Sequence, residues 1–76
     1  MRFAMNPIAH IRKEVFRMKQ SDFAALAGVA QSTVSRWEKH GVPPTLAEMQ
    51  AIREAAANRK IRWNDTLFFE VPGQAA

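Results

Sequence analysis

One glycine interrupts the segment 20–39 (QSDFAALAGVAQSTVSRWEK). Upstream of it, Phe23, Leu26 and Ala27 recur at the spacing that places side chains on one face of a helix. Gly28 follows, and since glycine adopts a positive φ without a Cβ clash, it suits the left-handed residue that ends a helix and redirects the chain. The pattern therefore predicts a short helix that ends in a tight turn, with Ala24 small enough to let a second helix cross closely.

Downstream of the turn, a second helical pattern has one apolar and one polar face. Val34 and Trp37 lie three residues apart and predict the packed face. The opposite face carries hydrogen-bonding groups and positive charge on Gln31, Ser32, Ser35, Arg36 and Lys39. Glutamine can bond adenine through N6 and N7, and arginine can bond guanine through O6 and N7. The polar face therefore suits base edges in the major groove of DNA.

Together these residues resemble the helix-turn-helix of the lambda-repressor-like family, which contains phage repressors, Cro and XRE-type regulators. The residues that agree with the spaced pattern of the family are Met18, Gln20, Phe23, Ala24, Gly28, Val29, Gln31, Ser32, Val34, Ser35, Arg36, Trp37 and Glu38. The resemblance implies an all-α fold, a compact domain of four to five helices with the helix-turn-helix at residues 20–39. It also implies that the second motif helix, residues 31–39, enters the major groove.

The resemblance assigns roles by position. Gln20 would contact a phosphate and support Gln31 at the start of the second motif helix. Ser32, Ser35 and Arg36 match positions that face the bases. Among all of these residues, we expect Gln31 and Arg36 to discriminate most strongly between DNA sequences.

Residues beside this face have different expected roles. Thr33 and Lys39 lie at its edges, where we expect contacts to phosphates or to a thymine methyl group. Trp37 is expected to anchor the core beneath the helix. A carboxylate that faced DNA would repel phosphate, so we expect Glu38 to pair with a basic side chain elsewhere in the domain.

Two features depart from the family pattern. The family usually has a Ser or Thr cap before each motif helix, whereas this chain has Lys19 and Ala30. The loss is expected to cost each helix about 1 kcal/mol. The region ahead of the motif also carries one extra residue, so Arg12 and Lys13 are both candidates to pair with an acid of the first motif helix, Asp22.

Capping signals predict two flanking helices. Asn6 followed by Pro7 is a typical start, and the apolar spacing after it predicts a helix over residues 7–17. The sequence GVPP at 41–44 cannot continue a helix. Thr45 and Glu48 then form a capping box ahead of a helix predicted over residues 46–58.

The segment 60–71 (KIRWNDTLFFEV) has two interpretations. In the first, which we favour, Asn64 caps a short fifth helix over 65–69. In the second, Asn64 and Asp65 form the turn of a β-hairpin. Its large apolar side chains are our candidate for a homodimer surface, with burial in the core of the same chain as the alternative: Trp63, Leu67, Phe68 and Phe69.

The composition is that of one small basic domain. The 76 residues are enough for a single domain, 1–76, in which we expect 1–5 and 72–76 to be flexible. Such a small chain buries little surface, and dimerisation would add burial. The net charge of +4 suits a polyanionic partner. The chain has no cysteine, and with no signal peptide or membrane span in view we expect it in the cytoplasm, associated with the nucleoid.

The sequence predicts a regulator, and no enzyme. No catalytic or phosphate-binding motif occurs, and His10 and His40 lack companions at metal-ligand spacing, so we expect no cofactor, metal or small-molecule ligand. We expect a repressor that binds double-stranded DNA at a palindromic operator as a homodimer. One alternative is an antitoxin-like protein whose apolar tail binds a protein partner while the motif controls its own promoter. Another is a phage excision or architectural factor that binds direct repeats.

Overall fold

The computed structural model describes residues 6–71, and the segments 1–5 and 72–76, which we expected to be flexible, lie outside these described residues. The helices are α1 (residues 7–16), α2 (Gln20–Ala27), α3 (Gln31–His40) and α4 (Leu46–Asn58), followed by a 3₁₀ helix, Asp65–Phe68. Residues 6–71 contain no strand. The predicted all-α class is confirmed, and the β-hairpin alternative for the tail is wrong.

Helix α1 begins at the predicted cap and then changes its winding. The side-chain oxygen of Asn6 accepts hydrogen bonds from the backbone N–H groups of Ile8 and Ala9, at 2.8 and 3.2 Å. The helix is α-helical at first and is π-helical over Ile11–Phe16. Since π-type bonds span one residue more than α-type bonds, this segment accommodates the extra residue ahead of the motif. Arg17, with φ 58°, ends the helix one residue earlier than predicted.

The two motif helices meet at the predicted glycine. Gly28 has φ 75°, and the next residue, Val29, donates its N–H to the carbonyl of Ala24 at 2.9 Å. This left-handed residue ends α2 and turns the chain toward α3. Neither Lys19 nor Ala30 makes a side-chain cap, as the sequence predicted.

The core lies where α1, α2, α3 and α4 meet. Trp37 from α3 is 2% exposed, and its ring lies edge-on to that of Phe23 from α2, with centroids 6.5 Å apart. The largest completely buried side chains are Trp37, Phe23, Ile11, Ile52 and Val34. The predicted capping box of α4 is also present, with both Thr45 and Glu48 bonds formed. The apolar faces of the helix-turn-helix are therefore anchored on the flanking helices.

The tail packs mainly on the core of its own chain. Asn64 caps the 3₁₀ helix by accepting from the N–H of Thr66, so the predicted position is right, although the helix is a single 3₁₀ turn. Phe68 is buried, and the ring of Trp63 lies 5.2 Å from it. Phe69 is 71% exposed.

The four residues that we considered for a homodimer surface therefore separate. Phe68 is buried, and both Trp63 and Leu67 are half-buried against the core of the same chain. Only Phe69 among these four residues presents most of its surface to solvent. We expected a homodimer surface made of all four side chains, and this expectation is wrong. The tail folds back and packs three of the four side chains against the core of its own chain.

Candidate nucleic-acid interface

The polar face of α3 is open to solvent over its whole length. Gln31, Ser32, Arg36 and Lys39 are exposed, and Thr33 and Ser35 are half-buried. The buried side chains of the same helix, Val34 and Trp37, point into the core. The helix therefore presents all six predicted polar side chains outside the core, on a backbone fixed by its apolar side.

The first residues of α2 and α3 touch each other across the turn. The amide nitrogen Nε2 of Gln31 donates to Oε1 of Gln20 at 3.4 Å. The structure thus brings Gln20 to the polar face of α3, next to Gln31, as the family resemblance implied. Arg36 donates to the hydroxyl of Thr33, also at 3.4 Å, one turn earlier on the same helix.

A partly buried ion pair lies directly behind this contact. The guanidinium of Arg12 donates to both carboxylate oxygens of Glu38, from Nε at 2.7 Å and from Nη2 at 3.0 Å. Its Nη1 donates to the carbonyl of Met18 at 3.0 Å, which joins the connection between α1 and α2 to the same cluster. Gln20 donates to Oε1 of Glu38 at 3.2 Å. The expectation that Glu38 has a basic partner is confirmed.

The partner itself differs from one of our expectations. We expected Arg12 or Lys13 to pair with Asp22, whereas Arg12 pairs with Glu38 and both Lys13 and Asp22 are exposed. Arg12 lies in the π-helical part of α1, and its side chain is 11% exposed, beside a Glu38 side chain that is 10% exposed. The ion pair therefore joins α1 to α3 and leaves the acid of α2 in solvent.

The ion pair has a clear electrostatic effect. Burial by itself raises the pKa of Glu38, but hydrogen bonds from Arg12 and Gln20, with the positive charges of Arg12 and Lys13, outweigh it and leave the pKa lowered. The hydrogen bonds that Arg12 donates to Glu38 raise the pKa of Arg12 against the opposing effect of burial. Glu38 is therefore ionised at neutral pH.

One link between α1 and α3 was not apparent in the sequence. The side-chain nitrogen of Asn6 donates to the carbonyl of Trp37 at 3.1 Å, while its oxygen caps α1. The capping signal identified this asparagine, but the partner lies 31 residues away and could not be predicted from local spacing. Asn6 thus holds both the start of α1 and the middle of α3.

Comparison with known proteins gives one match. The family model described as helix-turn-helix matches residues 11–57, about three fifths of the chain, from the π-helical part of α1 almost to the end of α4. No curated protein and no solved structure matches the chain. Within residues 6–71, no helix is both long and apolar enough to cross a membrane.

Proposed function

Because this chain belongs to the Cro/C1-type helix-turn-helix family of DNA-binding transcription regulators, we propose that it acts as a repressor, bound as a homodimer to a palindromic operator. The observation that carries the proposal is the open polar face of α3, whose opposite side is locked into the core by Trp37. Repression then follows from occupancy, because a bound dimer would exclude polymerase from an overlapping promoter.

The proposed contacts divide into two kinds. Gln31 and Arg36 read base edges through their paired donors and acceptors, and Ser32 and Ser35 let the helix approach the groove floor. Contacts to phosphates or to thymine methyl groups come from the flanks of the face, and these residues are Gln20, Thr33 and Lys39. The first kind supplies sequence preference. In the second kind, phosphate contacts supply affinity for any DNA, and a contact to a thymine methyl group adds to the preference.

An exposed apolar surface supports the homodimer. Leu46 and Phe69 are 72% and 71% exposed, and both line a surface depression of about 180 Å³ with Met49 and Phe68. Val42 is also exposed and borders an adjoining depression. Burying such side chains against a second copy is favourable, at about 25 cal/mol per Å² of apolar surface. We propose that this apolar surface, defined by Val42, Leu46 and Phe69, forms the dimer contact.

The dimensions of the domain are compatible with such a dimer. Its principal extents are 35, 27 and 21 Å. Two copies joined along the 35 Å direction would have centres separated by a distance close to one turn of DNA, roughly 34 Å. Both copies of α3 could then enter successive major grooves on one side of the duplex.

Selection of bound sequences from a random DNA pool, with the full chain, tests the proposal. The expected result is an inverted repeat whose half-sites are centred about 10 base pairs apart. Direct repeats in phase with the helix would instead support an architectural factor. A pool with no enriched sequence would contradict sequence-specific binding altogether.

A second candidate function rests on the same apolar surface. In an antitoxin-like protein, Leu46 and Phe69 would contact a different protein while α3 controls the promoter. Analytical ultracentrifugation separates the two candidates. A dimer that becomes monomeric in Phe69→Asp supports the repressor, whereas a monomer at high concentration that still selects operator DNA favours a heterologous partner.

A further inference from the structure

Four polar side chains form a continuous chain of hydrogen bonds from a partly buried ion pair to the polar face of α3. Arg12 donates to Glu38, Gln20 also donates to Glu38, and Gln31 donates to Gln20. The side chains come from α1, α2 and α3, and the last of them is exposed at the start of α3. A partly buried charged group is thus connected to a side chain on the exposed polar face of α3.

The direction of every bond in this chain follows from the chemistry of Glu38. An ionised carboxylate can only accept hydrogen bonds, so the amide of Gln20 must turn its NH₂ group toward Glu38. Its carbonyl oxygen then points away from Glu38, to the side where Gln31 lies. An oxygen can only accept, and Gln31 must therefore use one N–H of its own amide to donate to Gln20.

The orientation of the Gln31 amide determines what it offers to DNA. One N–H of Nε2 is occupied by Gln20, so the second N–H and Oε1 remain for a base, in a fixed order. Adenine presents N7 as an acceptor beside N6–H as a donor in the major groove, and this order is reversed when adenine lies on the other strand. A fixed amide therefore matches one order, whereas an amide free to flip can adapt to either.

We propose that Arg12 and Glu38 are positioning residues that act through Gln20 to fix the donor and acceptor order of Gln31, so that the protein distinguishes A·T from T·A at the base pair Gln31 contacts. This inference rests on the proposed function, since it requires that Gln31 reads a base. Arg12 contributes by holding the Glu38 carboxylate with two hydrogen bonds. Neither Arg12 nor Glu38 touches DNA in this scheme.

The ionisation of Glu38 is essential to the mechanism. The lowered pKa of its carboxyl keeps it an acceptor at neutral pH. A neutral amide at the same position could either accept from Gln20 or donate to it. Glu38→Gln therefore preserves the shape of the side chain and removes its control over direction.

The experiment measures the affinity of the full chain for its selected operator and for single-base-pair variants. Gln31→Ala first identifies the base pair that Gln31 reads, as the position where its removal abolishes preference. At that pair we expect the wild-type protein to bind A·T and T·A with affinities that differ about tenfold, within the range of one bidentate contact. In Glu38→Gln the ratio falls below about threefold, while preference at the Arg36 position and the salt dependence stay unchanged.

Two further variants keep the test decisive. Glu38→Gln also removes the ion pair with Arg12, because glutamine carries no charge. Gln20→Met therefore provides a second route, which leaves Arg12 and Glu38 bonded to each other and breaks the chain of hydrogen bonds at Gln20. It should lower the A·T to T·A ratio in the same way, along with a uniform loss of affinity from the missing phosphate contact. Asp22→Asn is the matched control, because it removes an exposed carboxylate of α2 and should leave the ratio unchanged.

The possible outcomes are distinct. A folded Glu38→Gln or Gln20→Met protein that keeps the wild-type ratio of A·T to T·A affinity contradicts the proposed role of the hydrogen-bond chain. The proposed function would remain intact. If Glu38→Gln fails to fold, Gln20→Met decides the question. If the wild-type protein selects no DNA sequence, both the proposed function and the proposed role of the hydrogen-bond chain are contradicted. A reduced ratio in each of the two variants that folds, with an unchanged ratio in Asp22→Asn, supports the proposed chain of hydrogen bonds.

Discussion

The flanking helices, α1 and α4, and the two motif helices, α2 and α3, begin in different ways. Asn6 caps α1 with its side-chain oxygen, and Thr45 caps α4 in a complete capping box. Lys19 and Ala30 precede α2 and α3 without any side-chain cap. The first N–H groups of a helix lack partners within it, so those of α2 and α3 remain available to water or to a phosphate. The flanking helices are thus completed by their own residues, and the motif helices are left open.

The same division extends to the side chains. The residues that stabilise the domain are buried and bonded within it, whereas those proposed to bind DNA lie on an exposed face with few internal bonds. Stability and DNA binding should therefore depend on different residues, even within the motif helices, and α3 carries most residues of both kinds. Substitutions on its two faces provide the strongest test of this separation.

Removing the buried side of α3 should have the largest effect. Trp37→Ala takes a side chain that is 2% exposed out of the core and leaves a cavity, at a cost of about 3 to 5 kcal/mol in the free energy of unfolding. Urea denaturation followed by circular dichroism measures this loss. Arg36→Ala, next to it on the exposed face, is the control and should change stability by less than about 0.5 kcal/mol. Equal stability of the two variants would contradict the separation.

The ion pair that joins the two regions should make stability depend on pH. The pKa of Glu38 is lowered in the folded protein, so the unfolded chain takes up a proton at higher pH than the folded protein does. The contribution of Glu38 to the free energy of unfolding is therefore complete above the usual glutamate pKa of 4.5. This contribution is lost as pH falls through the lower pKa of the folded protein. We expect Glu38→Gln to be less stable by about 2 kcal/mol at pH 7, through loss of a charge-assisted hydrogen bond. The difference in stability between the wild-type protein and Glu38→Gln should become smaller in acid.

Thermal or urea unfolding at a series of pH values checks this dependence. The comparison is with Asp22→Asn, whose carboxylate is exposed on α2 and should change the profile little. Parallel profiles for the wild-type protein and Glu38→Gln at every pH would contradict a role for the ionised Glu38 in stability.

Two exposed positions of α3 should separate specific from general DNA binding. Arg36→Ala should cost about 1 to 3 kcal/mol at one base pair and relax the preference there. Lys39→Ala should weaken binding to all sequences and reduce the slope of log affinity against log salt by about 1. Competition binding at several salt concentrations measures both effects. If the two variants lost affinity equally for all DNA sequences, or both at a single base pair, the proposed roles of Arg36 and Lys39 on the polar face of α3 would be wrong.

Local rules explain which parts of this structure could be predicted from the sequence. Asn6, Gly28 and the pair Thr45 and Glu48 act through bonds to residues within a few positions, so sequence spacing identifies them. The two faces of α3 follow from helical period alone. These signals were sufficient for the all-α fold and the exposure of the predicted contact residues, whose contacts to DNA stay a prediction.

The remaining features depend on contacts distant in sequence. Glu38 needed a basic partner, but Arg12 is 26 residues away, and its reach depends on the π-helical winding of α1. Phe68 and Phe69 are adjacent and chemically identical, and a single 3₁₀ turn has too short a pattern to show which of them is buried. In both cases the outcome is decided by packing between elements.

The smallest predicted effect bears most directly on the difference between capped and open helices. Thr45→Ala removes an existing cap and should destabilise the domain by about 1 kcal/mol, whereas Ala30→Ser supplies a missing one and should stabilise it by up to about 1 kcal/mol. Because the new hydroxyl would occupy an N–H group in the first turn of α3, Ala30→Ser should also weaken DNA binding slightly and equally for all sequences. Unfolding and binding measured on the same preparations check both. A more stable Ala30→Ser protein with unchanged affinity would mean that the open N–H groups of α3 are satisfied by water even in the complex with DNA.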